Sequence, residues 1–123
     1  MSARILVVEH DPVIATDLYI GIEDLGYEAV GPVSSVRQAL EAIAGEPLHG
    51  ALLDCKLIGE TSQAIAEVLH RRDIPFAYVT GNADFRAGQA GWPAAPVLVK
   101  PLGQGQLSGT VRHFAVKARR CVA

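Results

Sequence analysis

The sequence predicts a doubly wound α/β domain, a five-stranded parallel sheet with helices on both faces. Strand and helix patterns alternate along all 123 residues. The strand patterns are almost unbroken apolar runs, as expected of strands buried on both faces rather than half exposed. Each of four runs closes on polar residues: Ile5-Leu6-Val7-Val8 on Glu9-His10-Asp11, Ala51-Leu52-Leu53 on Asp54, Phe76-Ala77-Tyr78-Val79 on Thr80, and Val97-Leu98-Val99 on Lys100. In parallel strands these residues gather at one carboxyl edge, where open α/β sheets place their chemistry.

The elements follow in order. After the first strand, Asp11 reads as a helix N-cap and Pro12 as the first helical residue. Ile14, Leu18, Ile22 and Leu25 recur at helical spacing, and Gly26 ends the helix. Glu28 to Val33 forms a short second strand, weakened by Gly31-Pro32. Ser35-Val36-Arg37-Gln38 matches a capping box, and Val36, Leu40 and Ile43 give the second helix its apolar stripe. Gly45 and Pro47 punctuate before the third strand, Ala51 to Asp54. Thr61 or Ser62 caps a third helix that buries Ile65, Val68 and Leu69.

Pro75 opens the fourth strand. From Gly81 to Pro96 the rhythm breaks: Gly81, Gly88, Gly91, Pro93 and Pro96 make poor helix material, so the fourth helix is expected to be short or disordered. Val97 to Lys100 is the fifth strand. The last helix runs from about Gln104 to Arg120, with Leu107, Val111, Phe114 and Ala118 on one side. The result is (βα)5 with one stunted helix.

A chain of this length builds one domain, residues 1–123. Half of it is apolar, 20% is charged and the net charge is −2, which excludes a disordered chain and gives no reason to expect nucleic-acid or acidic-membrane binding. The basic run Arg112-His113, Lys117 and Arg119-Arg120 reads as a solvated helix face. Cys55 and Cys121 lie far apart without metal-ligand spacing, which fits free thiols in a reducing, cytoplasmic setting. No signal peptide is evident, and no apolar stretch approaches the roughly 20 residues of a membrane span.

The order of acidic cluster, Asp, Thr and Lys-Pro, each at a strand end, resembles the receiver domain of bacterial two-component response regulators, the CheY-like receivers. The resemblance covers essentially the whole chain and rests on Val7-Val8-Glu9-His10-Asp11-Pro12, Leu52-Leu53-Asp54, Val79-Thr80-Gly81 and Val99-Lys100-Pro101-Leu102. The stretches Leu53-Asp54-Cys55-Lys56-Leu57-Ile58-Gly59-Glu60 and Pro75-Phe76-Ala77-Tyr78-Val79-Thr80-Gly81 are similar to a single-domain subgroup with a degenerate fourth helix. Val79 and Asn82 depart from that subgroup's pattern.

The resemblance implies a flavodoxin/CheY-like strand order of 2-1-3-4-5. It implies a phosphorelay receiver whose Asp54 takes a phosphoryl group from a histidine kinase or histidine phosphotransfer protein and thereby switches a protein–protein surface. Lys100 would set a positive charge beside the phosphoryl oxygens, and Thr80 would donate a hydroxyl hydrogen bond to them. Mg²⁺ would be held by Glu9, Asp54 and the backbone carbonyl of Lys56, with position 10 as a further ligand. The Lys100-Pro101 bond would be cis. Asp11 reads as a helix cap rather than a ligand, and Glu9 either as a metal ligand through water or as an electrostatic contributor. Such a domain assists its own phosphorylation and dephosphorylation and is not a turnover enzyme. It acts in the cytoplasm, binds neither nucleic acid nor membrane, and forms homodimers, where it does so, through the face of the last helix.

Several features depart from that pattern or qualify it. The family usually has two acidic residues after the first strand, the second ligating the metal directly; here they are Glu9 and His10. Imidazole is a poor ligand for Mg²⁺ and suits softer ions, so Mn²⁺, or weak or absent metal, is an alternative. The ammonium of Lys56 and any charge on His10 would then stand in for the cation, unless Lys56 points to solvent. The alternative function is a pseudo-receiver that binds partners without phosphorylation. Val97 occupies the position of the family's rotating aromatic, so any signal runs through Thr80 and the glycine-rich loop after it. Phe85 and Trp92 would anchor that loop to the body of the domain or, as an exposed pair, mark a partner surface. Cys55 is expected to be buried and inert. A flavodoxin-like cofactor binder shares the topology, but Glu9-His10-Asp11 would repel the phosphate that such a protein holds after its first strand.

Overall fold

A computed structural model describes residues 3–45, 47–82, 84–85 and 91–121, the last four as helical backbone. The chain runs β1 (Arg4–Val8), α1 (Pro12–Asp24), β2 (Glu28–Val33), α2 (Val36–Gly45), β3 (Gly50–Asp54), β4 (Lys56–Leu57), β5 (Glu60–Thr61), α3 (Gln63–Arg71), β6 (Phe76–Thr80), β7 (Val97–Val99) and α4 (Gln104–Cys121). The main sheet has the order β2-β1-β3-β6-β7 with every pair parallel. With the small β4–β5 hairpin set aside, this is the expected 2-1-3-4-5 order.

Alternation along each buried strand builds two cores. Leu6, Val8, Leu53 and Tyr78 face Ile43, Ile65 and Leu69 under α2 and α3. Ile5, Val7, Leu52 and Val79 face Leu18, Ile22, Val111 and Phe114 under α1 and α4. Each such aliphatic or aromatic side chain contributes about 1.5–3 kcal/mol when fully buried, before the cost of ordering the chain is counted. A strand sandwiched in this way cannot slip by one residue without exchanging its two apolar sets, so the strand ends stay aligned at one edge.

Local chemistry sets the helix starts. Asp11 is extended at φ −83°, and its side chain accepts from the N–H groups of Val13 and Ile14 ahead of Pro12. Ser35 Oγ accepts from Gln38 N–H at 3.1 Å, as the capping box requires. The returning Gln38 Oε1 reaches Ser34 N–H instead of Ser35 N–H, and Val36 N–H is met by Glu60 from β5 at 3.0 Å. Ser62 stands before α3, but its side chain makes no capping bond. Its ψ of 11° is not the extended N-cap geometry, and its own N–H bonds Cys55 O at 3.2 Å, which turns the hydroxyl into the protein, where it has no partner.

Other expectations are refined. β2 passes through Gly31-Pro32 rather than breaking there, with a cis bond, Gly31 at φ 97° and a register irregularity between Leu6 and Val8. A Cβ at Gly31 would lie 2.8 Å from Val33 N, which leaves no room for a side chain. β3 starts one residue earlier than expected, at Gly50, and β7 ends at Val99 with Lys100 just beyond. The stunted-helix segment falls partly on residues 83 and 86–90, Gly88 among them, which lie outside the described residues. Its described residues form no helix. The side chains of Ala118, Arg119, Arg120 and Cys121 also lie outside the description. No helix among the described residues is long and apolar enough to cross a membrane.

Candidate functional site

The register brings the polar strand ends together. Asp54 ends β3 opposite Val79 of β6 and one residue past the Leu53–Val8 pair with β1, and Thr80 ends β6 beside Val99. Lys100 N–H donates to Thr80 O at 2.8 Å, which carries the ladder one residue past β7, and the Lys100-Pro101 bond is cis. From there the lysine reaches back across the edge. Its Nζ lies 3.0 and 3.2 Å from the two oxygens of Glu9 and 3.5 Å from Asp54 Oδ1.

Two carboxylates are thereby buried side by side, Glu9 at 2% exposure and Asp54 at 3%. Asp11 N–H donates to Glu9 Oε2 at 3.1 Å, and Lys56 N–H donates to Asp54 Oδ1 at 3.3 Å. His10 Nδ1 meets Asp54 Oδ2 directly and lies 3.5 Å from Glu9 Oε2. Desolvation is the largest influence on both acids and favours the neutral form. It raises Glu9, which Asp54 raises further, against the pull of Lys100 and the Asp11 amide. For Asp54, hydrogen bonds from Glu9 and His10, the Lys100 charge and the Lys56 amide outweigh desolvation and hold it below the usual carboxylate range. Of the pair, Asp54 is the one pushed toward its charged form, the form a nucleophile needs.

Glu9, His10 and Asp54 bring one donor atom each to within 4.8 Å of one another. The side chain of Lys56 is exposed and makes no ion pair among the described residues, so the ammonium at the site is that of Lys100. Asp11 serves as the α1 cap through Oδ1. Thr80 is 5% exposed, and its Oγ1 accepts from Asn82 N–H at 3.0 Å. Cys55 packs in the core under α2 and α3. Burial foremost, and the Asp54 charge, push its thiol up to about 11 against a Thr80 hydrogen bond and Lys100, so it stays protonated at neutral pH.

Beyond Thr80, Phe85 and Trp92 join a cluster of rings. Tyr78 meets Phe76, Phe85 and Trp92 edge-on at centroid distances of 5.4, 5.2 and 5.6 Å, and Phe85 meets Trp92 at 5.2 Å. Val97, half buried, packs against the same core. Tyr78 OH donates to Pro93 O at 2.6 Å. Sequence reasoning placed Phe85 and Trp92 here but gave Tyr78 and Asn82 no role. Tyr78 carries a signal in hindsight, as a polar-tipped ring inside an otherwise apolar strand.

No family model matches the chain. It is 27% identical over 98% of its length to the phyllosphere-induced regulator PhyR of Methylorubrum extorquens, of which it covers 47%, so it spans about half of that curated relative. Among solved structures it is similar to SdrG of Sphingomonas melonis Fr1, at 32% identity and a TM-score of 0.78, with 93% of this chain and 97% of that one covered. It also superposes on the receiver domain of the sensor histidine kinase PA1611 of Pseudomonas aeruginosa PAO1. That domain was solved with a magnesium ion in its active-site cleft, and the match has 22% identity, a TM-score of 0.81 and coverage of 93% and 98% of the two chains.

Proposed function

We propose that this chain, which belongs to the CheY-like response-regulator receiver family, is a two-component receiver that accepts a phosphoryl group on Asp54 from a histidine kinase or histidine phosphotransfer protein. The observation that carries the reading is one buried carboxylate at a sheet edge, with an ammonium 3.5 Å away and a buried hydroxyl on the neighbouring strand end.

The geometry favours one oxygen as nucleophile. Oδ1 is held by the Lys56 amide and Lys100, whereas Oδ2 meets the half-exposed imidazole of His10. With His10 swung aside, Oδ2 attacks phosphorus in line with the donor nitrogen. The P–N bond breaks, its electron pair stays on the donor imidazole, which takes up a proton, and an acyl phosphate forms on Asp54. Lys100 balances the charge on the phosphoryl oxygens, and the Thr80 hydroxyl turns from Asn82 to donate to them. Hydrolysis is a second displacement at phosphorus, in which water attacks, the P–O bond to Asp54 breaks with its electron pair on the carboxylate, and the water's protons leave with inorganic phosphate or to solvent. Glu9, Asp54 and the Lys56 carbonyl are the groups that would hold a divalent cation, which when bound neutralises charge on the transferring group. The resulting change at Thr80 and its loop would alter a partner-binding surface. The domain turns over no separate substrate.

One observation favours the second reading, a pseudo-receiver: His10 sits directly on Asp54 Oδ2. Intact mass after incubation with acetyl phosphate, with Mg²⁺, Mn²⁺ or chelator, separates the two. We expect a single phosphate adduct in the native chain and none in Asp54→Asn. Absence of an adduct, also with a phosphohistidine donor, would overturn the phosphoacceptor reading in favour of the second.

A further inference from the structure

The site differs from an all-oxygen cation site in one donor. Glu9 and Asp54 supply carboxylate oxygens from side chains that are 0% and 4% exposed, whereas His10 supplies Nδ1 from a side chain that is 37% exposed. Glu9 Oε1 is buried and accepts no hydrogen bond among the described residues, its one close cation being Lys100 Nζ at 3.0 Å, while Oε2 lies 3.5 Å from His10 Nδ1. A second fixed point is His10 itself. Its Nδ1, rather than its outer nitrogen, is turned onto Asp54, so the imidazole already presents nitrogen to the centre of the carboxylate pair. Among the described residues this is the one place where three such side chains converge.

Ligand type then discriminates among cations. Mg²⁺ demands hard oxygen donors in near-octahedral order and gives up water reluctantly, and a neutral nitrogen repays that loss poorly. First-row transition ions accept imidazole and carboxylate together, at about 2.0–2.2 Å from each for zinc. Donors gathered within 4.8 Å lie within reach of one such ion by side-chain adjustment, and His10 is the most exposed of the three. We propose that Glu9, His10 and Asp54 form a site for a borderline first-row divalent cation of the Mn²⁺-to-Zn²⁺ series in preference to Mg²⁺. This deepens the phosphoacceptor reading and rests on it for the cation's use, since it assigns the ion of that same site.

The test is direct binding by the full chain, stripped with chelator and then titrated with Mg²⁺, Mn²⁺, Co²⁺ or Zn²⁺ by equilibrium dialysis with elemental analysis. We expect one equivalent of Co²⁺ or Zn²⁺ held at least about tenfold more tightly than Mg²⁺, with Mn²⁺ between them. Paramagnetic shifts of one histidine's ring protons in the Co²⁺ complex should vanish in His10→Ala. His10→Asp should lose the preference and gain Mg²⁺ affinity, and Asp54→Asn should lose the site. Equal affinity for Mg²⁺ and Co²⁺ in the native chain, Co²⁺ binding unchanged in both His10 variants or in Asp54→Asn, or no ion bound at all would overturn the proposal. The native-chain comparison requires no variant to fold. Phosphate adduct formation is scored separately. An adduct without the Co²⁺ preference overturns only the metal assignment, and Co²⁺ preference without an adduct overturns only the phosphoacceptor reading.

Discussion

Lys100 holds the site's charge together. Its side chain is 16% exposed and faces two carboxylates that are almost wholly buried. Removing one partner of a buried ion pair leaves the other charge uncompensated, which typically costs about 3–5 kcal/mol. We therefore expect Lys100→Met to lower the unfolding free energy at pH 7 by roughly 3 kcal/mol, the partial exposure of the lysine favouring the lower figure. The pH dependence has a definite sign. Burial already raises Glu9, and loss of the ammonium raises it further. A carboxyl raised in the folded state contributes stability that is present below its unfolded value and lost as pH rises through its folded value. The deficit of the variant relative to the native chain should therefore be small near pH 4 and grow toward pH 7. Urea titrations at several pH values measure it, and a deficit that grew on acidification would contradict the charge account. The residue identities at this edge were legible in the sequence because each closed an apolar run. The contact of His10 with Asp54 was not, because a strand-end position specifies an edge and not a rotamer. The solvent-facing direction of Lys56 was likewise undecided until the β4–β5 hairpin gave it a face.

At the scale of elements, the alternation of apolar runs and helical stripes made all five main strands and the described helices readable, because burial on both faces leaves so little choice of residue. The β4–β5 hairpin was not readable, since two-residue strands have no period to detect. Gly50 was given no role from the sequence, yet it is a packing residue. It is the first residue of β3, and a Cβ there would lie 2.4 Å from Phe114 Cδ2, 2.7 Å from Cγ and 2.9 Å from Cβ. Phe114 is itself 2% exposed in the core beneath α4, so the ring has nowhere to retreat. Gly50→Ala should push α4 from the sheet and cost about 1–3 kcal/mol, the usual range for overpacking. Chemical denaturation measures this directly. If the ring contact is the cause, Gly50→Ala should cost less in a Phe114→Leu background than in the native one, a coupling that a purely backbone effect would not produce.

Across the whole molecule, the site and the aromatic loop are joined by a short run of contacts. Thr80 Oγ1 accepts from Asn82 N–H, Asn82 O accepts from Phe85 N–H at 3.1 Å, and Phe85 packs edge-on against Trp92. If the Thr80 hydroxyl turns toward a phosphoryl group on Asp54, the Asn82 amide loses its partner and the turn carrying Phe85 must adjust. Trp92 is the chain's single tryptophan and lies 5.2 Å from the Phe85 ring, so its emission reports that adjustment without a label. Phosphorylation should therefore shift the emission maximum or intensity in the native chain, leave Asp54→Asn unchanged, and give a reduced change in Thr80→Ala although its adduct still forms. Tyr78→Phe provides the complementary test from the other end. It keeps the ring but removes the 2.6 Å bond to Pro93 O, at a cost of about 1 kcal/mol, and so loosens the tether of the tryptophan without touching the site. The expected outcome is an altered resting emission with adduct formation intact. Equal emission changes in native and Thr80→Ala chains at equal adduct levels would show that the signal leaves Asp54 by a route other than the β6 end.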